Sequence, residues 1–207
     1  MIEKIKELGK KDRFENVIDV GGKDGKYTSR ISKTLTVIDL APNQIQDQVK
    51  YIKADIMEFN TSDRFDLIVS SAFLEHFTKE EGITILNKIN SFLKQDGLAF
   101  ITCPNAWSLN RLLGEFMGMG EALELSDGDI QVGHKYLYNL HRLEKVVKEG
   151  LHVIDSGSYF FKPLPASDMN SLFDLKAFET FASINSDSHP HLKEFLAEIY
   201  VVGKKKP

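Results

Sequence analysis

Cysteine is almost missing from this chain of 207 residues, with Cys103 the only one. A lone thiol excludes an intrachain disulfide and a multi-thiolate zinc site, and it suits a reducing compartment. Long apolar runs are missing as well. No stretch approaches the roughly 18 to 20 apolar residues that cross a bilayer, and the opening Met1-Ile2-Glu3-Lys4-Ile5-Lys6 contains no apolar core of signal-peptide length. These absences predict a soluble, cytoplasmic protein with no membrane partner. Basic charge is not in excess either: 26 Lys and Arg face 30 Asp and Glu, a formal charge of −4. A non-specific nucleic-acid binder carries the opposite balance, because phosphate neutralisation supplies most of its affinity, so nucleic acid is disfavoured as a partner.

What the chain does have is an alternation of short β-branched apolar runs with stretches of helical period, the pattern of strands joined by helical crossovers in a parallel sheet. Strands are predicted at Val17 to Val20, Leu35 to Leu40, Val49 to Ala54, Phe65 to Ser70 and Gly97 to Cys103. A helix is predicted from Thr78, which stands in capping-box spacing with Glu81, as far as Gly97, and another over Leu137 to Glu149 with Gly150 as its stop. Leu151 to Phe161 reads as a strand, Met169 to Ile184 contains a helix, and Phe195 to Val202 reads as a last strand, pairing antiparallel with the one before it at an edge. Residues 105 to 134 break the alternation, with five glycines, Met117, Met119 and a helical hint at Leu109 to Phe116. A connection of that length suggests a lid or binding loop. The chain is expected to be one domain, 1 to 207, with this stretch as an insert. Lys204 to Lys206 reads as a solvated, frayed end.

The first strand runs into Asp19-Val20-Gly21-Gly22-Lys23-Asp24-Gly25, and Lys26 to Thr34 can be read as a helix. Glycines at a strand-to-helix turn let a ligand approach the backbone, while the helix start offers free N–H groups. A purely structural turn would look the same. The next strand, however, ends in Asp39, 20 residues after Asp19, where a carboxylate can accept hydrogen bonds from ribose hydroxyls. No Gly-Lys-Ser/Thr follows the turn, which excludes a P-loop.

With these residues in view, the chain resembles the class I S-adenosylmethionine-dependent methyltransferases over nearly its whole length. Asp19, Gly21 and Gly25 match the family's Asp-x-Gly-x-Gly-x-Gly segment, with Lys23 in place of the middle glycine and Gly22 as an extra one. Lys53-Ala54-Asp55-Ile56 is similar to its third motif, Phe65 to Phe77 to its fourth and the continuation, and Ala197 to Gly203 to its closing strand. The resemblance implies a doubly wound α/β Rossmann-like sheet of seven strands, mostly parallel with an antiparallel last strand, and helices on both faces. It implies S-adenosylmethionine as cofactor, held by Asp19, Gly21 and Gly22 at the methionine end, Asp39 and Leu40 at the ribose, Asp55 and Ile56 at the adenine, and the backbone near Ser70 and Ser71.

Methyl transfer from a sulfonium needs near-attack positioning, and a base only where the acceptor must lose a proton. His76 and His134 are the candidates for catalysis. Each has a plainer reading, His76 as a turn residue packed on Phe77 and His134 as the entry to its helix. Oxygen and imidazole ligands from Glu75, His76 and His134 could also hold a divalent cation. Metal-dependent relatives resemble this segment as Glu-x-x-Glu-His, but Ala72 stands at the first Glu, so no metal is expected. The segments Cys103 to Arg111 and Gly133 to Tyr138 resemble small-molecule methyltransferases, pointing to a hydroxyl on a metabolite or sugar. Phe116, Met117, Met119 and Trp107 would line the acceptor pocket, with Arg111 meeting an anionic substituent. The same apolar residues would equally suit a homodimer contact. Tyr159-Phe160-Phe161 reads as core packing ahead of a binding role. Two alternatives stand beside the enzyme: a non-catalytic methyltransferase-like scaffold, for which Lys23 argues by placing a long side chain at the cleft, and an RNA 2′-O-methyltransferase.

Overall fold

The computed structural model describes residues 1–206, with backbone alone at 166, 167 and 170. In chain order the elements are α1 (Ile2–Gly9), β1 (Phe14–Val20), β2 (Ser32–Asp39), β3 (Val49–Lys53), β4 (Phe65–Ser71), α2 (Lys79–Phe92), β5 (Leu93–Pro104), α3 (Leu109–Phe116), α4 (Asp127–Gln131), α5 (Leu140–Gly150), β6 (His152–Tyr159), α6 (Ala166–Leu172), α7 (Leu175–Ser183) and β7 (Glu198–Lys204), with single 3-10 turns at Thr28–Ile31, Leu74–His76 and Pro190–Leu192. Seven strands form one sheet in the order β3-β2-β1-β4-β5-β7-β6. The first five are mutually parallel, and β7 lies antiparallel between β5 and β6. This is the expected fold class, and it brings the C-terminal ends of β1, β2 and β4 to one edge, where ligands bind in open α/β sheets.

The central strands are nearly continuous apolar runs because both faces are covered. On one face α2 and α5 bury Ile85, Leu86, Ile89, Leu143, Val146 and Val147 against Ile18, Ile68 and Ile101. The cover on the other face is lighter: α1 contributes Ile5, and the turn at Thr28–Ile31 contributes Ile31, over Val17, Val37, Leu67 and Phe100.

Several boundaries differ from expectation. No α-helix follows the glycine turn. Lys26 to Thr34 contains only the four residues of the 3-10 turn before β2 begins at Ser32. The Ser32 hydroxyl donates back to the Thr28 carbonyl (2.6 Å), one of the acceptors a longer helix would need, and β-branched Thr34 and Thr36 favour the strand. The capping box of α2 forms in both directions, Glu81 N–H to Thr78 Oγ1 and Thr78 N–H to Glu81 Oε2. That helix stops at Phe92 rather than Gly97, because Leu93 already pairs with Phe65 and the register then jumps to Leu67 opposite Leu98. Gly97 sits at the jump, where a Cβ would lie 2.8 Å from the Phe65 carbonyl oxygen.

Helix α5 starts at Leu140, since Asn139 caps it by accepting the Arg142 N–H; Leu137 is buried ahead of the helix. The helix expected within Met169 to Ile184 is two, broken before Asp174, which caps α7 through the Ala177 N–H. Nor do Lys204 to Lys206 fray. Lys204 belongs to β7, Lys205 Nζ donates to the Leu93 carbonyl, and Lys206 Nζ donates to the Lys148 and Glu149 carbonyls at the end of α5.

Candidate active site

The turn after β1 is built from three left-handed residues, Gly21 (φ 75°), Lys23 (φ 48°) and Gly25 (φ 62°). The path expected of a glycine is thus kept at Lys23 despite its side chain, at a strain of about 1 kcal/mol. That side chain is exposed and lines neither cavity beside the turn. The concern that it closes the cleft is not met.

One cavity, of about 210 Å³, is lined by Asp19, Gly21, Gly22, Thr28 and Ser71 among others. A second, of about 60 Å³, is lined by Asp39, Leu40, Ala54, Asp55, Ile56, Phe73 and Phe77. They meet where Phe73 packs on Gly21, so closely that a Cβ on Gly21 would lie 2.2 Å from the ring. Eight of the nine residues expected at the cofactor therefore line the two cavities. The exception is Ser70, which is wholly buried within the sheet, its hydroxyl without a hydrogen-bond partner. Strand alternation turns Ser71 to the cavity and Ser70 away. Phe73 and Phe77, missed in the sequence, form an aromatic wall with ring centroids 4.9 Å apart. Their i, i+4 spacing directly after a strand was the available signal.

The polar groups fit a nucleoside-bearing cofactor. Asp39 accepts the N–H of Lys23 (3.2 Å) and of Ala41 (2.8 Å) on different oxygens, leaving a lone pair on each for a ribose hydroxyl. Asp55 accepts the Met57 N–H (2.8 Å), which orients its free oxygen. Asp19 is buried and accepts from Thr28 Oγ1 at 2.5 Å. Burial pushes its carboxyl up to about 6, against the pull of that hydrogen bond.

Beyond β4 the 3-10 turn carries Glu75 and His76, and the chain returns alongside it at His134. The Glu75 carbonyl accepts the N–H groups of Lys135 (2.7 Å) and Tyr136 (3.2 Å), and His76 Nδ1 bonds the Gly133 carbonyl at 3.2 Å. These bonds bring the two imidazoles together edge to face, centroids 5.1 Å apart. His134 Nδ1 meets Asp129 Oδ1 at 3.3 Å. Burial and the neighbouring His76 hold His134 below its ordinary value, so its ring is neutral at pH 7. Carbonyl and carboxylate oxygens can only accept, so both rings carry a proton on Nδ1, and neutral His134 keeps a lone pair on Nε2.

Glu75, His76 and His134 each place a ligand atom within 4.8 Å of the other two, a donor set that could hold a divalent cation. Glu75 Oε2 is buried without a hydrogen bond, and burial raises the carboxyl to about 7, which leaves it largely protonated below neutral pH. Ala72 is exposed and supplies no ligand.

The insert differs from expectation in its side chains. Helix α3 occupies Leu109–Phe116 as read, but Phe116, Met117 and Met119 point outward, at 90, 73 and 75 % exposure, and none lines the cavities described here. Arg111 does not wait for an anionic ligand. It is spent on Asp129, both of whose oxygens it reaches at 3.0 and 3.1 Å, and on the carbonyls of Ala122 and Glu124. A small cavity of about 20 Å³ remains between Glu75, Asn105, His134 and Tyr138. Tyr159 packs near Tyr200 and Phe161 against Phe181, which favours packing for that aromatic run.

Residues 1–154 match the family described as "Methyltransferase domain". The chain belongs to that family. It is a class I S-adenosylmethionine-dependent methyltransferase, and the glycine turn, Asp39 and Asp55 are the features of this methyltransferase suited to that cofactor. A malonyl-[acyl-carrier protein] O-methyltransferase of Calditerrivibrio nitroreducens is 30 % identical over 112 residues, 49 % of this chain and 45 % of the relative. The chain thus aligns with less than half the length of that relative. Among solved structures, a S-adenosylmethionine-dependent methyltransferase from Clostridium acetobutylicum superposes with a TM-score of 0.62 at 13 % identity, covering all of this chain and 89 % of that one. The N-methyltransferase NodS of Bradyrhizobium japonicum, bound to S-adenosylhomocysteine, gives 0.56 at 14 % identity over 97 and 82 %. Phosphoethanolamine N-methyltransferase 2 of Haemonchus contortus, bound to S-adenosylmethionine, gives 0.60 at 16 % over 98 and 51 %. These likenesses establish the fold. Among the described residues no helix is long and apolar enough to cross a membrane.

Proposed function

We propose that this methyltransferase moves a methyl group to a hydroxyl on a small metabolite or sugar, with His134 as general base and His76 beside it. The observation that carries the reading is the pair of imidazoles, 5.1 Å apart beyond the end of β4, each with Nδ1 engaged. S-adenosylmethionine, when bound, supplies an electrophilic methyl group. As the acceptor oxygen bonds that carbon and the carbon's bond to sulfur breaks, releasing S-adenosylhomocysteine, His134 Nε2 would take the hydroxyl proton, so no charged alkoxide has to form first. Asp39 and Asp55 would hold ribose and adenine, and the Gly21–Gly22 backbone together with Asp19 would hold the methionine end. Residues 105–134 form the acceptor-binding insert of a single domain. The Calditerrivibrio relative is named an O-methyltransferase of a malonyl group, whose free oxygens belong to a carboxylate, so it supports an oxygen acceptor without favouring a hydroxyl. The exposed Lys23 side chain removes the main argument for a cofactor-free scaffold.

The first test is calorimetric titration with S-adenosylmethionine and S-adenosylhomocysteine. Micromolar binding, of order −8 kcal/mol, should weaken at least tenfold in Asp39→Ala. A screen of hydroxyl acceptors with labelled cofactor should then show turnover that falls about 100-fold or more in His134→Ala. Turnover on amines alone, or turnover indifferent to His134, would overturn the assignment.

A further inference from the structure

Asp129 lies in the insert, five residues before His134, and is almost fully buried. Every group that meets its carboxylate is a donor. Oδ2 accepts from the Ser126 N–H (2.9 Å), the Ser126 hydroxyl (2.6 Å) and Arg111 Nη1 (3.0 Å), while Oδ1 accepts from Arg111 Nη1 (3.1 Å) and His134 Nδ1 (3.3 Å). The partners come from three places: α3 (Arg111), the N-cap of α4 (Ser126) and the chain leaving the insert (His134). The backbone adds a further tie, the His134 N–H to the Asp129 carbonyl at 2.9 Å.

We propose that Asp129 is the positioning residue of this methyltransferase: its carboxylate holds the His134 proton on Nδ1 and so keeps the Nε2 lone pair available to the acceptor hydroxyl, and the same carboxylate folds the insert. This rests on the reading of His134 as the base. Without Asp129 the ring could rotate or carry its proton on Nε2, where it would meet the acceptor as a donor. Because Arg111 and Ser126 share the carboxylate, the insert cannot unfold from α3 without releasing the ring, and a correctly held base implies a formed insert.

The chemistry of an amide makes the idea testable. In Asp129→Asn one oxygen becomes an NH2 group. The Ser126 N–H can only donate and meets Oδ2 alone, so the amide oxygen is required on the Oδ2 side, where Arg111 Nη1 keeps its 3.0 Å bond and gives up the one to Oδ1. The NH2 then faces His134 Nδ1, which can become an acceptor only by moving its proton to Nε2. Long-range 1H–15N correlation spectra at pH 8 distinguish the protonated from the bare ring nitrogen, and the spectrum of His134→Gln identifies the residue among the six histidines. The wild type should show Nδ1–H, and Asp129→Asn should show Nε2–H. Ser126→Ala removes a cap from the same carboxylate but leaves the imidazole contact, and should keep the wild-type tautomer.

With an acceptor in hand, Asp129→Asn should lose about 100-fold in kcat with cofactor affinity within twofold, as expected when a general base is disabled. A wild-type ring protonated on Nε2 overturns the proposal outright and does not depend on any variant folding. An unchanged tautomer in a folded Asp129→Asn overturns it equally. Turnover that survives in His134→Ala refutes the base instead, and leaves the tautomer result standing as a separate finding.

Discussion

A Cβ added to Gly22 would lie 2.2 Å from the carboxyl carbon of Asp19 and 2.5 Å from its nearer oxygen. The second glycine of the Gly21-Gly22 pair is therefore required by a neighbour rather than by its own backbone angle. Gly22→Ala should push Asp19 away from Thr28, destabilise the protein by about 1 to 3 kcal/mol as overpacking does, and abolish measurable S-adenosylmethionine binding. Thermal unfolding and calorimetry on the one variant check both effects. Cofactor affinity within twofold of the wild type would refute the role given to this turn.

Lys23 offers the opposite experiment. It holds a left-handed φ of 48° that glycine adopts freely. Lys23→Gly should relieve about 1 kcal/mol of strain, partly offset by the greater freedom of the unfolded chain. A small rise in the unfolding midpoint with unchanged cofactor affinity is expected. A large loss of affinity would mean that the lysine contributes to binding after all.

Glu75 makes stability depend on pH in a defined direction. Burial raises its folded pKa to about 7 from an ordinary value near 4.5. The native state therefore holds the proton more tightly than the unfolded chain. The contribution is fully present below about pH 4.5 and is lost as pH rises through about 7. At pH 8 the loss is about 3 kcal/mol. Glu75→Gln should make the stability profile less steep between pH 5 and 8 without levelling it, since the raised carboxyls of Asp19 and Glu198 titrate in the same range, as read by denaturant unfolding at a series of pH values. A profile as steep as that of the wild type would place the titration elsewhere.

The three donors at Glu75, His76 and His134 bear on metal dependence. Ala72 offers no ligand, and a Glu75 carboxyl that keeps its proton near neutrality is a poor one. Turnover should survive exhaustive chelation, and added Mg2+ or Mn2+ should change it less than twofold. Loss of activity on chelation, restored by one of these ions, would convert the imidazole pair from base to ligands.

Much of the cofactor site was legible because its determinants are local. Asp39, Asp55 and the glycines stand at strand ends, and strand ends are marked by where apolar runs stop. Ser70 and Ser71 were adjacent in that reading, and only the pleat separates them into one buried and one facing the cavity. The missing helix at Lys26 to Thr34 shows where local reading fails. Its residues permit a helix, but Ser32 and the paired register of β2 with β1 claim them for strand. The outward side chains of Phe116, Met117 and Met119 were equally illegible, since an amphipathic helix does not announce which face meets the protein.

The direction of the closing strand was settled only by the family resemblance, while composition, the order of strand and helix and the acidic residues at the strand tips were determined by sequence alone. Each depends on periodicity or on residue types a few positions apart. The partnership of Arg111, Ser126, Asp129 and His134 was decided by tertiary structure. A free arginine beside a pocket and an arginine spent on a buried carboxylate have the same sequence, and the Ser126-x-x-Asp129 spacing signals only a capped turn. Which donors share one carboxylate depends on how the insert folds back on the end of β4. That packing places the proton on one nitrogen of His134 and leaves the other bare.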